Sequence, residues 1–168
     1  MNVVSGSAEN GCVALYAQKV LNSKDEKGEV FDIGDYSFYK QGGEYILYRY
    51  NGSDKELTLP GLIDGGHSYK IGRRVFRDKY VVSVVMPESV IAIDDEAFSG
   101  CSNLTSVVIG ENVSTIGSYA FSSCSSLTSV VIGENVTSIG NSAFSNCSSL
   151  TSIIIPEKVT AISGGAFV

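Results

Sequence analysis

The chain has 168 residues, and because 43% of them are hydrophobic it holds enough apolar material for one domain with a buried core. The net charge of −6 argues against nucleic acid as the main partner and against a membrane surface, because both favour a basic footprint. No stretch approaches the ~20 consecutive apolar residues of a membrane span, and no secretion signal is visible in the first 30 residues.

The N-terminal segment, residues 1–29, is expected to form a loose tail and one helix. Apolar residues recur at helical spacing at Val13, Tyr16, Ala17, Val20 and Leu21. This spacing predicts an amphipathic helix at about 12–22, which the charged and glycine-containing segment NSKDEKGE ends.

Residues 30–56 alternate aromatic and polar side chains, as in DYSFYKQGGEYILYRY, and predict an aromatic β-hairpin cap. The pairs Gly42-Gly43 and Asn51-Gly52 are typical of hairpin turns. Such a cap would close the open end of a stack of repeats. The alternative, that these residues end a preceding domain, stays open.

A repeat of 23 residues fills the rest of the chain. The segment LTSVVIGENVTSIGNSAFSNCSS, residues 127–149, matches the 23 residues before it at 18 positions. The first copy is degenerate, with five extra residues in its turn, and the last copy stops after 19 positions. The coils predicted within residues 57–168 are 57–80, 81–103, 104–126, 127–149 and the incomplete 150–168.

Each copy has the pattern of a short strand, a turn, a second extended piece and a single helical or 3₁₀ turn. The apolar positions of one copy are Leu104, Val107, Ile109, Val113, Ile116, Ala120, Phe121 and Cys124. No copy can bury these side chains alone, whereas stacked copies bury them in one continuous core. The sequence therefore predicts a β-rich repeat solenoid.

The start of the copy, LTSVVIGEN, fits the L-x-x-L-x-L-x-x-N pattern of leucine-rich repeats, although Val113 comes one position early and Ser89 and Lys158 replace the asparagine in the flanking copies. Over residues 57–168 the sequence resembles the BspA-like, or Treponema-type, leucine-rich-repeat family of bacterial surface proteins. The resemblance implies a right-handed solenoid of leucine-rich-repeat type, preceded by aromatic hairpins and used for attachment or protein binding. It also implies a cell-surface or secreted location, and it identifies no ligand.

Two surfaces are candidate binding sites. Strand positions that point away from the core form a flat, nearly uncharged band that suits a protein contact, although such residues are also typical of strands in general. The band consists of Ser83, Val85, Ser106, Val108, Ser129, Val131, Ser152 and Ile154. A candidate patch for an anionic partner consists of Lys70, Arg73, Arg74, Arg77 and Lys79. The alternative for the patch is pairing within the chain, with the acidic residues at 94–96.

Catalytic, metal and cofactor sites are not expected. His67 has no partner at a motif spacing, and no nucleophile elbow, phosphate loop or dinucleotide fingerprint occurs. The column Cys101, Cys124 and Cys147 adjoins the predicted buried Ala-Phe pair, which favours reduced, structural thiols over a redox or metal role. One carboxylate per coil favours a solvated row over a calcium site at Glu88, Glu111, Glu134 and Glu157.

The leading interpretation is a non-enzymatic protein-binding or adhesion module of a cell-surface leucine-rich-repeat protein, with a protein or host-surface ligand and no cofactor. The alternatives are a structural spacer in a longer repeat array and an intracellular protein-interaction scaffold, since no signal peptide is visible. The incomplete last coil has no polar capping unit, which predicts end-to-end self-association unless the array continues beyond residue 168.

Overall fold

The computed structural model describes residues 18–19 and 28–168. These residues form two β-sheets, one of nine strands and one of four, that share a single hydrophobic core. Within the described residues no segment is helical. The same residues contain no helix long and apolar enough to cross a membrane.

The cap is an antiparallel meander at the N-terminal end of the larger sheet. Its strands are β1 (Gln18–Lys19), β2 (Glu29–Ile33), β3 (Tyr36–Gln41) and β4 (Glu44–Tyr50). Leu47 of β4 pairs in parallel with Ile71 in the first coil. The cap therefore continues the larger sheet and covers the end of the stack, as a terminal unit of a solenoid must.

Each coil contributes one strand to the larger sheet. These strands are β6 (Tyr69–Ile71), β8 (Val90–Ile93), β10 (Thr115–Ile116), β12 (Ser138–Ile139) and β13 (Ala161–Ile162). All are parallel, and equivalent residues of the repeat lie opposite one another, as in the pair Ile116 and Ile139. The coils therefore stack in the register that the 23-residue period predicts.

The smaller sheet holds the opening strands of the first four copies. Its strands are β5 (Glu56–Thr58), β7 (Ser83–Val85), β9 (Ser106–Val108) and β11 (Ser129–Val131). They are parallel and lie in the order β11-β9-β7-β5. This sheet carries most of the predicted outward band.

The predicted core is confirmed. The eight apolar positions named for the coil at 104–126 are each at most 2% exposed. The phenylalanine rings of successive coils lie nearly parallel, with centroids 4.7 to 5.5 Å apart, in the column Phe76, Phe98, Phe121, Phe144 and Phe167. The interior is thus a series of identical layers, each packed against the layers beside it.

The predicted N-terminal helix is wrong at its two described residues, Gln18 and Lys19. They form a strand that pairs antiparallel with Asp32 and Phe31. The free edge of β2 offers backbone donors and acceptors that need partners, and this pairing overrides the helical spacing of the side chains. The rest of the predicted helix at about 12–22 lies outside the described residues.

Of the two predicted hairpin turns, Gly42-Gly43 is confirmed and joins β3 to β4, with φ angles of 58° and 86°. The turn predicted at Asn51 is wrong, because the chain passes there from β4 to β5 in the other sheet. Asn51 instead fixes the cap: its backbone N–H donates to Asp35 O (2.8 Å), and its side-chain amide donates to Ser37 Oγ (3.1 Å).

The single helical turn predicted around each Ala-Phe pair is also wrong. The backbone N–H of Phe98 donates to Ala120 O (2.7 Å) and that of Phe121 to Ala143 O (2.8 Å), one coil further on. A run of turns takes the place of the helix, and Tyr119 and Ser123 adopt left-handed φ angles of 57° and 61°. Hydrogen bonds between coils therefore alternate with bonds of single turns, such as that from Ser122 N to Tyr119 O (3.1 Å), in place of a continuous helical set.

Glycine permits the close approach of neighbouring coils at Gly117. A Cβ atom added there would lie 2.6 Å from the Asp94 carbonyl carbon and 2.6 Å from the Asp95 nitrogen. The Gly117 N–H also donates to Ile93 O (2.8 Å). Both contacts involve backbone atoms of the preceding coil, so the position accepts no side chain without separating the coils.

Candidate functional site

The serine–valine band, defined here as the outward positions of β7, β9 and β11, faces solvent on the smaller sheet. Its members are Ser83, Val85, Ser106, Val108, Ser129 and Val131. Val85, Val108 and Val131 are 42%, 39% and 53% exposed, whereas the intervening Val84 and Val107 are buried. The predicted alternation of inward and outward positions is therefore confirmed in these strands.

Strand pairing aligns the band into two straight rows. Ser106 lies opposite Ser83 and Ser129, and Val108 lies opposite Val85 and Val131. Neighbouring parallel strands lie about 4.8 Å apart, so the rows present hydroxyl and methyl groups at regular intervals. No member of the band carries a charge, so the band offers hydrogen bonding through its serine hydroxyls and apolar contact through its valines.

In the structure this surface extends past β7 to β5, and it ends at β11. Glu56 and Thr58 of β5 lie opposite Ser83 and Val85, and sequence reasoning missed them. Alignment of ELTLP, residues 56–60, with SVVMP, residues 83–87, on their prolines would have found them. The predicted members Ser152 and Ile154 lie in a segment that forms no strand, and Ile154 is 86% exposed.

Hydroxyl side chains beside the band connect the coils. Thr105 Oγ1 donates to Val82 O (3.0 Å), and Thr128 Oγ1 donates to Thr105 O (3.1 Å). These hydroxyl groups bind the backbone of the preceding coil and hold the strands of the smaller sheet in register. The exposed surface is therefore supported by a repeated set of hydrogen bonds between side chain and backbone.

The cysteine column lies in the core. Cys101, Cys124 and Cys147 are free thiols, and all three are buried. Each Sγ donates to the carbonyl of a phenylalanine in the preceding coil, at 3.0, 3.3 and 3.2 Å respectively. Burial raises the pKa of Cys101 to about 12 and that of Cys147 to about 11, and it raises the pKa of Cys124 as well. Neutral, buried thiols are poor nucleophiles and poor metal ligands.

The candidate anionic-partner patch is mostly paired within the chain. Arg74 makes a two-pronged contact with the Glu96 carboxylate (2.7 and 2.8 Å), and Arg73 and Arg77 each add a bond of 2.8 Å. Hydrogen bonds from Arg74 and then Arg73 lower the pKa of Glu96 to about 2. Pairing with the acidic residues at 94–96 is thus confirmed for Glu96.

The other two patch residues have different surroundings. Lys70 Nζ lies 2.7 Å from both carboxylate oxygens of Glu44 in the cap. Lys79 Nζ lies over the ring of Tyr50, 5.8 Å from its centroid. The five basic residues therefore do not act as one free cluster, and a role in binding an anionic partner stays a prediction.

The glutamate column lies on exposed turns. Glu111 Oε2 accepts a hydrogen bond from the backbone N–H of Glu134 (2.9 Å). The side chains of Asn112 and Asn135 donate to backbone carbonyls of the preceding coil at 2.8 and 2.9 Å. Among residues 18–19 and 28–168, no cluster of three or more metal-ligating side chains occurs.

Comparison with solved structures places this chain among leucine-rich-repeat proteins. A leucine-rich-repeat protein from Treponema pallidum (TpLRR) matches with a TM-score of 0.77 and 29% identity over 80% of this chain. One from Bacteroides ovatus matches with a TM-score of 0.67 and 30% identity over 79% of this chain. The matches cover 64% and 36% of those two proteins, so this chain corresponds to only part of their length.

A leucine-rich-repeat protein from Bacteroides capillosus, 26% identical over 80% of this chain and matched over 87% of its own length, superposes with a TM-score of 0.51. No curated protein matches the chain. The family model of the BspA type leucine rich repeat region matches residues 69–168 in six copies, which is more than half of the sequence. The chain therefore belongs to the BspA-type leucine-rich-repeat family.

Proposed function

We propose that this chain is a non-enzymatic protein-binding module, that the serine–valine band is its contact surface, and that it serves adhesion at a cell surface. The observation that carries the proposal is the exposure of three valines in one straight row on the smaller sheet, at 42%, 39% and 53% for Val85, Val108 and Val131. Exposed apolar residues that are contiguous, rather than scattered, are typical of contact surfaces.

The architecture supports the same proposal. Solenoids present extended surfaces made of equivalent positions from successive coils, and the band is such a surface. The repeated apolar residues of the core are buried, whereas the outward valines repeat with the same period and stay exposed. Membership of the BspA-type family supports display at a cell surface and a protein or host-surface ligand. A leucine-rich-repeat fold alone does not identify the ligand.

The experiment that tests the proposal compares lysine substitutions on the two sheets. Val108→Lys and Val131→Lys should reduce attachment to a panel of immobilised extracellular proteins and cell surfaces, because a charge would have to be desolvated in the contact. Thr115→Lys adds the same charge at an exposed position of β10 on the larger sheet and should leave attachment unchanged. Equal attachment by all three variants would show that the band is not the contact surface.

A further inference from the structure

The serine–valine band is bordered on one side by a row of acidic side chains. Each outward valine of the band is followed, three residues later, by a glutamate, and Ile154 is followed by one in the same way. These residues are the glutamate column, Glu88, Glu111, Glu134 and Glu157, and all four are exposed. Among the described residues, none of the four forms a salt bridge. The column therefore places negative charge at the end of the band strands where the chain turns toward the larger sheet.

Only one basic residue in the same coils opposes this charge. From residue 80 to residue 157 the sequence contains no lysine, arginine or histidine, and from 97 to 156 its only charged residues are Glu111 and Glu134. The one basic residue is Lys158, and its Nζ donates to Asn135 Oδ1 (2.6 Å). The glutamate column and Lys158 together carry a net charge of −3 along the band.

The charges at the start of the smaller sheet do not reverse this sign. Lys55 and Lys79 lie there beside the carboxylates of Asp35, Asp54 and Glu56, which outnumber them by one. The three arginines of the predicted patch follow β6 in the larger sheet and converge on one carboxylate. The face that carries the band is therefore negative as a whole, so it attracts basic groups and repels acidic ones.

A recess at the last two coils joins the glutamate column to the band. It has a volume of about 430 Å³ and is lined by Glu134, Ile154, Ile155, Pro156, Glu157 and Lys158. Ile154 is the last residue predicted for the band. The apolar walls suit the methylene stem of a lysine or arginine side chain, and the carboxylates suit its charged end. Two carboxylates against one ammonium group leave the recess with an excess of negative charge.

The two ends of the band strands differ in charge, so the band can orient a partner. The segments that lead into β9 and β11, residues 97–105 and 112–128, contain no charged residue, whereas Glu111 and Glu134 follow these strands. Glu111 Oε2 accepts a hydrogen bond from the Glu134 N–H (2.9 Å), which directs the Glu111 carboxylate toward the next coil. Neighbouring coils lie about 4.8 Å apart, and carboxylates at such a spacing repel one another. A row of cations on the partner would relieve this repulsion.

We propose that the partner on the serine–valine band is a basic protein, with lysine or arginine side chains opposite the glutamate column and apolar side chains on the band. This inference rests on the proposed function and names the class of partner that the surface fits. A protein is favoured over a polyamine because the exposed valines need apolar groups opposite them. Charges at the rim of such a contact speed association and fix orientation more than they add affinity.

The test uses nuclear magnetic resonance with defined probes. The ¹⁵N-labelled chain is titrated with a short blocked peptide that alternates valine and lysine, with its glutamine and glutamate analogues, and with spermidine. The lysine peptide is expected to shift the amide signals of Val108, Glu111, Val131 and Glu134, more weakly at high salt because exposed charges are screened. The glutamine analogue should bind more weakly, the glutamate analogue should not bind, and spermidine should leave the valine signals unchanged.

The same titration is repeated on single-charge variants, each of which must keep the amide spectrum of the folded chain away from the substitution. Glu111→Gln and Glu134→Gln are each expected to weaken the lysine peptide by about twofold to fivefold, as for an exposed charge pair. Lys158→Gln is expected to tighten it by about twofold, since it removes the opposing charge. Asp95→Asn is the matched control: it removes an exposed carboxylate beside the larger sheet, keeps an oxygen that can accept from the Ser118 N–H (2.7 Å), and should change nothing.

Four results would overturn the proposal: no shift of the band signals with the lysine peptide, equal binding of the glutamate analogue, an equal loss in the Asp95→Asn control, or equal shifts of the valine signals with spermidine. A failure here is distinguishable from a failure of the proposed function. If Val108→Lys reduces attachment while Glu111→Gln and Glu134→Gln change neither attachment nor peptide affinity, the band remains the contact surface and the basic partner is wrong. If none of these variants changes attachment, the proposed function itself is wrong.

Discussion

The ring of Phe98 lies face to face with the ring of Phe121, with 5.1 Å between the centroids and 6° between the ring planes. Phe121 and Phe144 repeat the relationship at 5.2 Å and 8°. The ring spacing matches the spacing of parallel strands, about 4.8 Å, so one coil advances the aromatic column by one ring. Each interior ring therefore depends on both of its neighbours, as expected for a solenoid.

Phe121→Ala should destabilise the chain by about 3–5 kcal/mol, because it removes a fully buried ring and leaves a cavity between two others. Phe167 stacks on one neighbour only and is partly exposed, so Phe167→Ala should cost less than half as much. Urea unfolding of both variants measures the free energies of unfolding. Equal losses would contradict a column in which interior layers carry more of the stability.

Gly117→Ala should destabilise by about 1–3 kcal/mol, the usual range for an atom forced into packed structure. The added Cβ would lie 2.6 Å from backbone atoms of Asp94 and Asp95, which cannot move without separating the coils. Gly61→Ala is the control, because a Cβ at that position meets no atom within 4 Å. Thermal unfolding of the two variants is the measurement, and a neutral Gly117→Ala would refute the close approach.

Ser123→Gly should raise the free energy of unfolding by up to about 1 kcal/mol. Ser123 has a φ of 61°, a conformation that costs a non-glycine residue about 1–2 kcal/mol, partly offset by the entropy that glycine loses on folding. The preceding coil already has Gly100 at this position, with a φ of 76°. Ser102→Gly, at an exposed position outside the positive-φ set, should instead destabilise slightly. Stabilisation by both substitutions would show that the left-handed backbone is not the cause.

Acid should remove the stabilisation that Glu96 provides. Its pKa is lowered from 4.5 to about 2 by Arg74 and Arg73, so the folded state favours the ionised carboxylate. This contribution is fully present above pH 4.5 and is lost as pH falls through about 2. The free energy of unfolding of the chain should therefore exceed that of Glu96→Gln at pH 6, and the difference should shrink between pH 4.5 and 2. A difference that does not depend on pH would contradict a stabilising role for the ionised Glu96 carboxylate.

The sequence predicts the core and the outward positions well because the same pattern of apolar and polar residues recurs in every copy. A residue that recurs every 23 positions beside apolar neighbours, such as Phe121 or Val107, has one location that suits all copies. The strand Gln18–Lys19 was not predictable in this way, because it occurs once and lies among apolar residues at helical spacing. Where the pattern lacks copies, tertiary pairing decides the local structure.

In the candidate site, too, the residues that follow the 23-residue period were predicted and those outside it were not. The serine–valine band follows from the period, whereas Glu56 was missed because it lies at the end of the predicted cap, directly before the degenerate first coil. The convergence of three arginines on Glu96 depends on distances between coils, which the sequence does not contain. The close approach at Gly117 is likewise a distance between two backbones, and no side-chain pattern reports it.

The measurement that tests the central claim most directly is a methyl spectrum of the valine-labelled chain, recorded with and without a surface protein that the chain captures. Contact through the band predicts that the methyl signals of Val85, Val108 and Val131 shift or broaden first. The buried Val84 and Val107 act as internal references, since they face the core. Unchanged band signals, with the shifts confined to other surfaces of the saturated complex, would contradict the account.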